Sequence, residues 1–168
     1  MPNLRIRIFP DPALRLKAER VRDLGAAEQK DLNDMASAMY MNSGVGLAAT
    51  QVGILKQLVV IDIGEGLIKL VNPVLTKEAG TETGEEGCLS VPGECVGIKR
   101  AKKVVVDFID ESGLRSHIKA EGLLARALQH EIDHLHGKLI VDYLSPVRKL
   151  LARARSGRKK KRVAHGAV

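Results

Sequence analysis

Apolar positions along this chain recur with two periods, and the periods divide it into helices and strands. From Ala26 to about Asn42, Leu32, Met35, Ala36 and Met39 share one helical face, and Gly44 is placed to end that helix in the left-handed conformation. Leu123, Leu124, Ala127, Leu128, Ile132 and Leu135 mark a second helix, with Gly137 at its end. Residues 58–63, 68–74, 104–109 and 114–118 read as strands, and Glu111-Ser112-Gly113 as the turn between the last two. Residues 6–9 read as a short extended piece, broken by Pro10 and Pro12. No internal repeat or linker interrupts this order. The expected fold class is α+β, with small antiparallel or mixed sheets packed around the second helix.

That second helix carries His130-Glu131-Ile132-Asp133-His134, the pattern H-E-x-x-H. Two imidazoles four residues apart on a helix stand one above the other and can grip one metal ion, with the glutamate beside it to move protons of a bound water. Leu123 and Ala127 fall on the stripe of the two histidines, so the stripe is expected to face inward. A metal site needs a third protein ligand. In the zinc peptidases it lies downstream, but the position six residues past His134 is Ile140. The later candidates are Asp142, His136 and His165, the last in a basic tail, and none is convincing.

Upstream, two non-periodic stretches stand out. Gly44-Val45-Gly46-Leu47-Ala48-Ala49-Thr50-Gln51 has glycines that let backbone approach a ligand closely, but lacks the Gly-Lys-Ser/Thr ending of a phosphate loop. On its own it reads as a tight turn between helix and strand. Glu85-Glu86-Gly87-Cys88-Leu89-Ser90-Val91-Pro92 offers a thiol, and a Cys-His-His set leaves a fourth position open for water. A small buried thiol and a nucleophilic Cys–His pair remain open as alternatives.

Composition and charge narrow the setting. A chain of 168 residues suits one domain, and with 2% aromatics its core must be built from Leu, Val, Ile, Ala and Met. Two cysteines, Cys88 and Cys95, and no apolar run fit for a signal peptide or membrane span point to free thiols in a reducing cytoplasm. Nine of the 27 basic residues lie between Arg148 and Arg162, leaving 18 against 20 acidic ones, so the net +7 belongs to the tail. Residues 1–147 are expected to form the catalytic domain, and 148–168 a basic extension. The extension is expected to begin as a helix over 147–155 and to break at Ser156-Gly157. A solvated tail and an RNA contact both fit such a run.

Taken in order, G-V-G-L-A-A-T-Q, E-G-C-L-S and Q-H-E-I-D-H resemble the three motifs of the peptide deformylases, and the similarity runs from Phe9-Pro10-Asp11-Pro12 to Asp142-Tyr143-Leu144-Ser145. The resemblance implies a hydrolase that removes the formyl group from the N-terminal methionine of new polypeptides. It implies Cys88, His130 and His134 as ligands of one divalent ion, Fe(II) natively, with Zn, Ni or Co able to substitute. It implies Glu131 as the acid/base, Gln51 and the Leu89 backbone N–H as donors to the reacting oxygen, and Gly46 on the edge that pairs with substrate backbone. Val45, Leu123 and Ala127 are expected around the methionine side chain. Cys95 departs from the family, which more often carries an Arg or aromatic near that rim. The resemblance also implies ribosome docking through the C-terminal helix, and a cytoplasmic monomer with no membrane partner is expected.

Overall fold

The computed structural model describes residues 4–163, with side chains through Arg155; His165 and the basic side chains of 158–162 lie outside that description. The elements run α1 (Ala26–Met41), β1 (Gly46–Ala48), β2 (Leu58–Ile61), β3 (Ile68–Ala79), β4 (Glu82–Glu86), β5 (Val96–Arg100), β6 (Lys103–Ile109), β7 (Arg115–Glu121), α2 (Gly122–Leu135) and α3 (Pro146–Val163). Short 3-10 turns occupy Pro12–Arg15, Ala49–Val52 and Ile140–Tyr143. A five-stranded sheet in the order β1-β2-β3-β6-β7 and a two-stranded sheet β4-β5 are paired antiparallel throughout. The class is α+β, with antiparallel rather than mixed sheets.

The two helices lie on opposite faces of the larger sheet. Leu58 and Val60 of β2 pack with Leu32, Met35 and Met39 of α1, whereas Val59 and Ile61 pack with Ala127, Leu128 and Ile132 of α2. Strand alternation sends successive side chains to opposite faces, so a strand covered on both sides reads as a continuous apolar run, as Leu58–Ile61 does. A third apolar cluster joins Phe9 and Leu14 to Val96, Ile98, Leu139 and Ala152 of α3.

The helix ends follow from their bonding. After α2, Gly137 takes φ 74°, with Gly137 N–H donating to His134 O (3.0 Å) and Lys138 N–H to Asp133 O (3.0 Å), the pair of bonds that closes a helix through a left-handed residue. After α1 the left-handed residue is Ser43, φ 54°, and not the expected Gly44. Gly44 serves another purpose: a Cβ there would sit 2.7 Å from Leu89 Cδ1, so the Leu89 side chain beside the Cys88 turn would have to shift.

Three strands were not legible as strands. β1 lies inside the first glycine-containing stretch and is three residues long. β4 reads ETGEE, with no apolar residue to show alternation. β5 is short, though Val96, Ile98 and Arg100 alternate inward. β3 and β7 run to Ala79 and Glu121, beyond the expected ends, because their distal halves are held by pairing with β6 rather than by burial. In the tail, α3 continues through Ser156-Gly157, so the expected break is absent. Among the described residues no helix is long and apolar enough to cross a membrane.

Candidate metal centre and cleft

Three segments far apart in sequence meet at one point. Helix α2 presents His130 and His134, the turn after β4 presents Cys88, and the 3-10 turn after β1 presents Gln51. The N-terminal extended piece joins the latter two: Arg7 N–H donates to Gln51 O (2.7 Å) and Phe9 N–H to Ser90 O (2.8 Å). His134 Nε2 lies 3.1 Å from His130 Nε2 and 3.3 Å from Cys88 Sγ, and the three donor atoms all fall within 4.8 Å of one another. Imidazole and thiolate donors converging in this way suit a borderline divalent cation such as zinc or iron.

The donors strongly perturb one another's protonation. Burial disfavours a charged His130, but its bonds to Cys88 and Glu86 outweigh that and raise it to about 10. His134, fully buried and beside that charge, is held well below its ordinary value. His130 Nδ1 meets Glu86 Oε2 at 2.8 Å, which orients the ring with Nε2 toward the other donors. Glu86 is itself buried; burial pushes its carboxyl up, but bonds from Arg100 and His130 overcome that and hold it at about 2.

Glu131 is 4% exposed, lines the same cleft, and its Oε2 has no hydrogen-bond partner among the described residues. Burial pushes its pKa up to about 7, opposed by the charge on His130. Glycine opposite it leaves the carboxylate its place, since a Cβ on Gly46 would collide with Glu131 Oε1 and displace it. Gln51 is buried with its amide orientation fixed: Oε1 accepts from Ala48 N–H (2.8 Å), so Nε2 turns toward Ser90 Oγ (3.2 Å) and Cys88 Sγ (3.6 Å). Leu89 follows Cys88 in a turn closed by Val91 N–H donating to Cys88 O (2.9 Å).

These groups stand at an open cleft of about 360 Å³. Val45, Gly46 and Ala127 line it, and so does Leu123, although Leu123 is 55% exposed and forms the rim rather than an inward wall. It sits in the first turn of α2, where residues 122 and 123 are exposed. Gly46 is on β1, the edge strand of the larger sheet. Cys95 is exposed and lies outside the cleft lining, its Sγ 3.6 Å from Glu85 Oε2; both cysteines are free thiols.

Sequence reading missed the support beneath the histidines. Glu86 was visible in the second motif but not distinguished from its neighbours. Arg100 binds it through Nε (2.8 Å) and Nη2 (3.0 Å) and reaches Asp133 through Nη1 (2.6 Å). The available signal was an arginine on the apolar face of β5, since a buried guanidinium demands a buried anion.

Donors placed so that they could hold one ion, with a buried carboxylate beside them at an open cleft, are the arrangement expected of a metal-dependent hydrolase. Comparison with known proteins narrows the class. The family model described as polypeptide deformylase matches residues 3–150. A peptide deformylase of Thermoanaerobacter pseudethanolicus is 51% identical over 137 residues, covering 82% of this chain and 86% of that protein. The crystal structure of a peptide deformylase from Legionella pneumophila superposes with a TM-score of 0.92 at 43% identity, covering 97% of this chain and 98% of that one. That of the Ehrlichia chaffeensis enzyme in complex with actinonin gives 0.91 at 37% identity, over 93% and 96% of the two chains. The chain belongs to the polypeptide deformylase family.

Proposed function

We propose that this chain removes the formyl group from the N-terminal formyl-methionine of newly made polypeptides, with each role below assigned to its own residues. The observation that carries the reading is the meeting of Gln51, Cys88, His130, Glu131 and His134 in one cleft of a family member. Cys88, His130 and His134 would hold one divalent ion, Fe(II) natively, with Zn, Ni or Co as substitutes. Such an ion supplies a Lewis acid and a bound water acidic enough to ionise near neutral pH.

The chain's own groups do the rest. Glu131, its pKa raised by burial, accepts the proton of the attacking water and returns it to the departing methionine amine. Gln51 Nε2 and the Leu89 backbone N–H are the donors for the developing oxyanion, a contribution typically on the order of 10²–10³-fold per donor. The free side of β1 at Gly46 pairs with substrate backbone, which leaves later residues unread. Val45, Leu123 and Ala127 surround the methionine side chain.

Residues 1–147 would form the catalytic unit and 148–168 the extension, whose Ala152 still packs on the body. The extension's nine basic residues suit an RNA contact on the ribosome, where formyl-methionine emerges. The enzyme would work as a cytoplasmic monomer.

The test is anaerobic formate release from formyl-Met peptides by metal-loaded protein, run beside acetyl-Met and unblocked peptides. Formate from the first substrate alone is expected. A metal-loaded, folded protein that releases none overturns the reading. Under air, the iron form should lose activity faster than the nickel form, because a thiolate beside a redox-active ion is open to oxidation.

A further inference from the structure

Arg126 has a set of contacts that the reaction does not require. It stands on α2 one turn before His130, and its guanidinium reaches across to β4 and β5. Nη1 donates to Glu86 Oε1 (3.0 Å), Ile98 O (3.0 Å) and, more weakly, Gly84 O (3.4 Å), and Nη2 donates to Glu82 O (3.1 Å). Gly84 makes this possible. A Cβ there would lie 2.9 Å from Nη2 and 3.0 Å from Cζ, so the planar group rests on bare backbone.

The consequence falls on Glu86. An ionised carboxylate offers about four acceptor sites, and all of them are engaged. Oε1 takes Arg100 Nε and Arg126 Nη1, while Oε2 takes Arg100 Nη2 and His130 Nδ1. Arg126 and His130, four residues apart, thus reach one carboxylate from the same helix. That carboxylate is two residues before Cys88. The separation between the cysteine and the histidines is therefore bridged by this contact.

We propose that Arg126 is a positioning residue for the metal centre: laid across Gly84, it fixes the Glu86 carboxylate that orients His130 and holds the Cys88 turn against the ligand helix. The inference rests on the metal role proposed for Cys88, His130 and His134. Groups behind a ligand commonly change metal affinity by about 10- to 100-fold, and Arg126, one step further back, belongs at the lower end.

The experiment is Co(II) binding to the full chain by chelator competition, followed through thiolate-to-cobalt absorption, with the urea midpoint of the metal-free protein measured in parallel. Arg126→Met keeps the stem and removes the guanidinium; it should weaken Co(II) binding about 10-fold. Gly84→Ala keeps the Arg126 guanidinium but displaces it, and should move the affinity in the same direction. Because Arg126 acts through Glu86, adding Arg126→Met to Glu86→Gln should cost less than it does in the wild type. Wild-type affinity in both single variants overturns the positioning role, as does full additivity with Glu86→Gln. A lowered urea midpoint with unchanged affinity also overturns it, since the residue would then be only structural. A wild-type chain that binds no Co(II) overturns the metal reading instead.

Discussion

Helix α2 has 14 residues and buries nine of them, whereas α3 runs for 18 and, among its described side chains, buries only Ala152. On α2 most of the polar positions are committed as well, Glu131 Oε2 and His134 Nδ1 at the cleft being the exceptions among the described residues. Gln129 exchanges hydrogen bonds with Ala101, through Oε1 to Ala101 N–H (3.0 Å) and Nε2 to Ala101 O (2.9 Å), so the side chain behaves as one more strand partner. Arg126, His130 and Asp133 reach the β4–β5 sheet through Glu86 and Arg100. On α3 the side-chain ties among the described residues are two ion pairs, Lys149 to Asp142 (2.8 Å) and Arg155 to Glu94 (3.0 Å). A polar group in the interior must be paired or it costs about 1–3 kcal/mol, whereas an exposed ion pair contributes about 0–1 kcal/mol. Chemistry on this chain is fixed where polar groups are buried, and its surplus charge is left where solvent makes it inexpensive.

The largest effect expected from breaking that contrast is at Glu131. Glu131→Gln keeps the shape of the buried site and removes its base. Turnover should fall by on the order of 10²–10⁴-fold while metal content stays near wild type. Near-normal formate release with full metal would refute the assignment. Next in size is Gly46→Ala, whose Cβ collides with Glu131 Oε1. Displacing a reacting group by about 1 Å can cost about 10²-fold, so kcat should drop toward that figure with metal content unchanged. A kcat within twofold of wild type would mean that Glu131 moves aside freely.

The same contrast decides what could be read from sequence. The ligand helix was legible because its apolar spacing and its H-E-x-x-H pattern agree, and both ends of the argument fall on one face. Cys88 was a candidate third ligand by its chemistry and Gln51 was legible only through motif resemblance, since nothing local to either reports that their turns meet. Arg7 and Phe9, which pin those turns together, act through backbone N–H groups that any residue but proline supplies. β4 escaped because its sequence is wholly polar, and with it escaped the role of Glu86. The continuous course of α3 past Ser156-Gly157 escaped for the opposite reason. Gly and Ser are weak helix formers, which lowers propensity by about 1 kcal/mol at most per residue without forbidding the helix.

Truncations sharpen the comparison from the α3 side. Ending the chain after Arg155 leaves Lys149, Ala152 and Arg155 in place. Formate release and the unfolding midpoint should be unchanged, while association with ribosomes weakens and its dependence on salt becomes shallower as phosphate contacts are lost. Ending it after Val147 also withdraws Ala152 from the cluster of Phe9, Leu14 and Val96. A loss of about 1–2 kcal/mol is expected there, with a Tm lower by about 2–8 °C. Ribosome binding that ignores both salt and the full truncation would leave the tail a solvated appendage.

The smallest expected effect concerns the joint between the two regions. Asp142 accepts from Arg15 Nη1 (2.5 Å) and Nη2 (2.9 Å), from Lys149 Nζ of α3 (2.8 Å) and from Leu139 N–H (2.9 Å). Partial burial pushes its carboxyl up, but the bonds from Arg15 and Lys149 outweigh that and hold it well below the usual carboxylate range. A depressed folded-state pKa means that the stabilisation is complete above the unfolded value, about 3.9, and is lost as pH falls through the folded value. The stability difference between wild type and Asp142→Asn should therefore be constant from pH 7 to about 5 and shrink as the pH falls below about 4. Urea midpoints across that range read it directly. In the chain ending at Val147, where Lys149 is absent, the same difference should be smaller at neutral pH and close less in acid. A difference that widens below pH 4 would mean that Asp142 gains nothing from its two cations, and that α3 is held to the body by Ala152 and the Arg155–Glu94 pair without it.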